Sequence, residues 1–111
     1  PLREFLHVND LSEAVLFILN NLSAEEIYKS GISHINIGSG EELTINQLAF
    51  LIKKIIGYNG VVEFDESKPD GVPRKLVDTT FLNEKGWCSK IKLEKGLEDL
   101  YSIYLNNKSR F

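Results

Sequence analysis

Apolar residues along the chain recur mostly at helical spacing, in stretches separated by short alternating runs. Leu11, Ala14, Val15, Ile18 and Leu22 share one broad helical face, opened by Asn9 or Asp10 as N-cap, with Glu13 three positions after Asp10. Ser23 with Glu26 starts a second, shorter helix that Gly31 ends. Leu48, Leu51, Ile52 and Ile55 mark a third, opened by a Thr44–Gln47 capping box and stopped by Gly57. From Leu93 onward, Leu97, Leu100, Tyr101 and Tyr104 line a final helix. Phe5–Val8, His34–Ile37 and Val61–Phe64 read as short strands. Thr79 or Thr80 caps a short helix ending at Gly86, after which Trp87 plugs into the core. The predicted order β-α-α-β-α-β-loop-α-α describes an α/β fold with few short strands covered by helices.

Composition narrows the picture without deciding it. The 111 residues are 42% apolar and 26% charged, ordinary for a globular chain, and carry no repeat or low-complexity tract, so residues 1–111 form one unit. A net charge of -3 argues against nucleic acid or an anionic membrane as partner, and any anion site must be a local cluster. The apolar run Ala14–Leu19 is too short to span a bilayer. Cys88 is alone, which fits a reducing cytoplasm. The chain opens directly on Pro1-Leu2-Arg3-Glu4-Phe5 and contains no methionine, the pattern expected of a piece of a longer protein.

Most candidates for chemistry reduce to structural roles. Gly38-Ser39-Gly40 follows a predicted strand and precedes a helix, as a dinucleotide phosphate loop does, but Leu43 stands where the third glycine is needed. It reads as a turn. His7, His34 and Cys88 lack partners at metal-ligand or nucleophile spacing. The pairs Glu25-Glu26 and Glu41-Glu42 read as solvated helix starts. No catalytic, cofactor-binding or metal residue is assigned. The exception is the run Ser67-Lys68-Pro69-Asp70-Gly71-Val72-Pro73-Arg74-Lys75. Its prolines restrict the loop before binding, its cations suit phosphate oxygens, and Asp70 can accept from sugar hydroxyls. That mixture fits a nucleoside diphosphate better than free phosphate.

Two segments then bring in a family. Arg3-Glu4-Phe5-Leu6-His7-Val8-Asn9-Asp10-Leu11 and Asn36-Ile37-Gly38-Ser39-Gly40 resemble segments of the extended short-chain dehydrogenase/reductases that act on nucleotide sugars. Ser67–Asp78, with Gly86-Trp87 and Leu93-Glu94-Lys95-Gly96-Leu97, resembles the signature of the GDP-L-fucose synthase family. The resemblance implies the C-terminal, substrate-binding part of a Rossmann-type enzyme, with the NADP-binding part and all catalytic groups outside this chain. It implies a homodimeric parent that converts GDP-4-keto-6-deoxy-D-mannose to GDP-L-fucose by 3,5-epimerisation and 4-reduction. Arg3, Asp70 and Lys75 match GDP-contacting positions, and Lys68 matches less directly a basic residue that reaches the diphosphate. Arg74 is left between a ligand contact and a structural bridge to a neighbouring acid. Another NAD(P)-dependent nucleotide-sugar enzyme, or a non-catalytic relative, stays open as an alternative. The 111 residues alone are expected to be inactive.

Overall fold

The computed structural model describes residues 1–108. Its elements run β1 (Leu2–Glu4), α1 (Val8–Asn21), α2 (Ala24–Lys29), β2 (Glu42–Thr44), α3 (Ile45–Ile56), β3 (Arg74–Lys75), α4 (Thr80–Glu84) and α5 (Leu93–Asn106). The order matches the predicted one, but every strand lies elsewhere. The three-stranded sheet has the order β2-β1-β3, with β2 antiparallel and β3 parallel to β1.

The displaced strands have identifiable causes. Phe5–His7 leave the sheet because His7 caps α1, its Nδ1 accepting from the Asn9 amide at 3.0 Å. Ile35 and Ile37 do pack on the core, from an extended segment that joins no ladder. Their apolar side chains are taken up by contact with the core, without strand pairing. Residues 61–64 likewise join no strand, and Phe64 lies against Phe50 at a ring separation of 6.3 Å.

The helices follow their capping chemistry more closely. Thr44 and Gln47 form the reciprocal box at α3, and Gly57 closes that helix in the left-handed conformation, φ 72°. Ser23 caps α2 through the Glu26 amide. At α4 the work falls to Asp78 instead of Thr79 or Thr80: its Oδ1 accepts from the Thr80 amide and hydroxyl. Leu82, Trp87 and Ala14 form the buried core, with Phe17, Ile18 and Leu22 packed on it. Leu11 and Val15, placed inward by the sequence pattern, are exposed. The inner stripe of α1 is therefore rotated toward Asp10, Ala14 and Phe17.

Asp10 is the main surprise in the frame. Expected as a candidate N-cap, it lies inside α1 and is 1% exposed. Its carboxylate accepts from the Ile91 amide at 2.9 Å and from the Lys90 amide at 3.2 Å. Lys90 also pairs with Glu13, so residues 90 and 91 are stitched to the first turns of α1. Glu41, expected to be a solvated helix start, accepts from the Leu93 amide at 3.1 Å. It thereby caps α5, whose own N-cap residue Lys92 makes no side-chain bond.

Candidate functional site

The sheet determines which charged groups meet. In the parallel pair, Leu2 stands opposite Arg74 and Arg3 opposite Lys75; in the antiparallel pair, Glu4 stands opposite Glu42. Residues in register point to the same face, and successive residues to opposite faces. One face therefore carries Arg3 and Lys75. The other carries Leu2, Glu4, Glu42 and Arg74.

On the first face, Arg3 is half-buried, its Nη1 donating to the Leu2 carbonyl at 2.7 Å. A Cβ added at Gly71 would stand 3.1 Å from Arg3 Nη2, so the absent side chain lets the loop close against the guanidinium. Beside it opens a cleft of ≈ 660 Å³ whose wall includes Arg3, Asn46, Phe64, Asp65, Pro69 and Asp70. Arg3 and Asp70 thus share one concavity. Lys75 lies outside that wall, on the adjoining strand, with backbones roughly 4.8 Å apart as in any sheet. Lys68 sits on the exposed outer turn of the loop, outside the wall of that cleft. Among the described residues, Lys68, Asp70 and Lys75 make no side-chain hydrogen bond or ion pair, leaving their valences toward solvent. Two like charges on neighbouring strands repel, and an anion lying between them offsets that repulsion.

The loop is fixed at both ends. Asp65 accepts from the Ser67 hydroxyl and amide, which holds its carboxyl below the usual carboxylate range. At the other end Leu2 donates to the Pro73 carbonyl at 2.8 Å. On the back face, Arg74 forms a fork with Glu42: Nε to Oε1 at 2.7 Å and Nη2 to Oε2 at 2.8 Å. The guanidinium's hydrogen bonds and charge lower the Glu42 carboxyl below its ordinary value. Of the two roles open for Arg74, the structural bridge is the one observed. Glu42, expected as a solvated helix start, is its partner, thirty-two residues away in the chain and two strands away in the sheet.

The remaining candidates resolve locally. Glu4 Oε2 accepts from the Gly40 amide at 2.9 Å, and a Cβ at Gly38 would meet Glu4 Oε1 at 2.5 Å and Val77 Cγ2 at 2.6 Å. A carboxylate already occupies the place a dinucleotide phosphate would take, so Gly38-Ser39-Gly40 does not fit NADP and acts as a packed turn. His7 is a helix cap against Gly96, and His34 Nδ1 lies 3.4 Å from the Ser33 hydroxyl. Among the described residues no three His, Cys, Asp or Glu side chains gather as metal donors. Nor is any described helix long and apolar enough to cross a membrane.

The described residues thus form a small α/β unit with two cations in register on one sheet face, beside a cleft. No family model matches the chain. It is 48% identical over 107 residues to GDP-L-fucose synthase 1 of Arabidopsis thaliana, a match covering 96% of this chain and 31% of that protein. A GDP-6-OMe-4-keto-L-xylo-heptose reductase from C. jejuni superposes with a TM-score of 0.88 at 32% identity, over 95% of this chain and 31% of that one. A GDP-mannoheptose C4 reductase from Campylobacter jejuni, solved with NADP bound, gives 0.80 at 32% identity, over 94% of this chain and 32% of that one. Over 96% or more of its length the chain is thus 46–48% identical to GDP-L-fucose synthases, and it shares its α/β fold with GDP-sugar reductases. It spans about a third of the length of the curated relatives it matches.

Proposed function

We propose that this chain is the nucleotide-sugar-binding portion of a longer NADP-dependent epimerase/reductase that converts GDP-4-keto-6-deoxy-D-mannose to GDP-L-fucose. In that reading Arg3 and Lys75 hold the diphosphate, Asp70 accepts from the ribose hydroxyls, and Lys68 approaches the phosphates from the outer turn. The observation that carries it is the parallel register of β1 and β3, which stands Arg3 beside Lys75 at the edge of the cleft shared by Arg3 and Asp70. Anchoring the non-reacting GDP orients the keto-sugar toward groups on the rest of the protein, a use of remote binding energy. The 4-keto group acidifies its neighbouring carbons for epimerisation; the cofactor, the acid–base groups and the dimer contacts of this cytoplasmic enzyme lie outside these residues.

In the full-length protein, Arg3→Ala or Lys75→Ala is expected to weaken GDP-sugar binding by about 1.5–3 kcal/mol, the size of a charge-assisted hydrogen bond. Unchanged Michaelis constants in both variants would remove the site. The structural relatives favour one second reading, reduction of a different GDP-bound keto-sugar such as a heptose. Turnover of the heptose substrate in preference to the deoxymannose one would select it, and preference for UDP- or dTDP-sugars would exclude both.

A further inference from the structure

We infer that the Glu42–Arg74 fork is a positioning clamp for the nucleotide-sugar grip: it straps β3 to β2 across the back of β1, so that Lys75 is presented beside Arg3 on the front. The inference rests on the GDP-sugar reading above and assigns roles to two residues that do not touch the ligand in it.

Besides its pairing with β1 and the Leu2–Pro73 hydrogen bond just before it, little holds β3. It is two residues long, both exposed, and a strand that short does not fix its own register. A slip of one residue would exchange the faces of Arg74 and Lys75 and turn Lys75 away from Arg3. Glu42 is the fixed end of the strap. It sits in the β1–β2 ladder opposite Glu4, its side chain is 18% exposed against 60% for Arg74, and the capped start of α3 follows two residues on. The fork reaches over Leu2 from β3 to β2 and fixes both distance and orientation, as a bidentate guanidinium–carboxylate pair does. Glu4, the other carboxylate on this face, is committed to the Gly40 amide. Because Arg74 and Lys75 are consecutive, holding one on the back holds the other on the front.

The sign of one substitution separates this role from simple electrostatics. Glu42 is an anion near a site proposed to bind an anion, so on Coulombic grounds alone its neutralisation tightens GDP. A clamp predicts the reverse. In calorimetric titrations of the full-length protein with GDP, Glu42→Gln is expected to weaken binding about tenfold. The Michaelis constant for the GDP-keto-sugar should rise with kcat nearly unchanged, and in a Lys75→Ala background Glu42→Gln should cost little more. Arg74→Lys, which keeps the cation but loses the fork, should shift affinity in the same direction and carries the test if Glu42→Gln does not fold. The exchanged pair Glu42→Arg with Arg74→Glu should recover part of the loss. GDP binding by Glu42→Gln as tight as the unaltered protein's, with Lys75→Ala weakened, overturns the clamp. An unaltered protein that binds no GDP overturns the GDP reading and the clamp's purpose together, a result distinct from the former.

Discussion

Single side chains do two kinds of work in this chain, and titration can tell them apart. Glu42 is held below its ordinary value of 4.5 chiefly by the Arg74 hydrogen bonds, which outweigh an opposing desolvation effect, with Arg74's charge adding to the lowering. A carboxylate lowered on folding contributes stability at all pH values above its unfolded value and loses it as pH drops through the lowered folded one. The clamp is therefore intact at neutrality and opens only in acid, below 4.5. A carboxyl-carbon NMR titration should give Glu42 a midpoint below that value, returning toward it in Arg74→Gln; the same midpoint in both would deny the fork in solution. Asp10 works by burial instead. Its carboxylate receives backbone amides of Lys90 and Ile91. Asp10→Asn turns an amide donor toward at least one of those N–H groups and is expected to cost about 2–3 kcal/mol. A urea midpoint within error of the unaltered protein would show that the site admits water instead.

At the scale of elements, the helices were legible and the strands were not, for one reason. Helix ends carry local chemistry: Thr44, Gln47 and Gly57 bracket α3, and Ser23 opens α2, as their sequence positions alone indicate. The sheet, in contrast, has strands of two or three residues in which Arg3, Glu4, Glu42, Arg74 and Lys75 give no apolar alternation, and long-range pairing holds it. The apolar alternations at 34–37 and 61–64 are the louder signal, yet neither segment joins the sheet. Half of the candidate site was readable, since the charged, proline-stiffened loop announces itself. Its partner across the fold did not, because nothing local ties Glu42 to Arg74 or Glu41 to Leu93. The capping contrast gives a prediction. Thr44→Ala removes one half of a reciprocal box and should lower stability by about 1 kcal/mol, read as a shift in urea midpoint. Lys92→Ala, at a cap that makes no side-chain bond, should leave that midpoint unmoved. Equal shifts in the two would mean that propensity, not capping, sets the ends of α3 and α5.

For the whole molecule, shape and burial point the same way. The radius of gyration is 17.4 Å, with extents of 54 × 36 × 21 Å, where a compact chain near this length has about 13 Å. Only Ala14, Leu82 and Trp87 are buried apolar residues among those described, while Val8, Leu16 and Leu19 on α1 are 66%, 59% and 73% exposed. An apolar helix face left in water gives up much of the burial that must offset the ordering entropy of the backbone, roughly 1–2 kcal/mol per residue. The 111 residues produced by themselves should therefore bind a hydrophobic dye strongly and melt over a broad range, without the sharp transition of a two-state domain. The full-length protein should show neither trait. Substituting Leu16→Asp and Leu19→Asp separates the causes: it should suppress dye binding by the isolated chain, since that face supplies the exposed surface, while leaving its melt broad, since the small core is unchanged. A sharp, dye-silent transition for the unaltered 111 residues would mean that the few buried side chains and the Asp10, Glu41 and Glu42 bonds suffice to hold this open shape together.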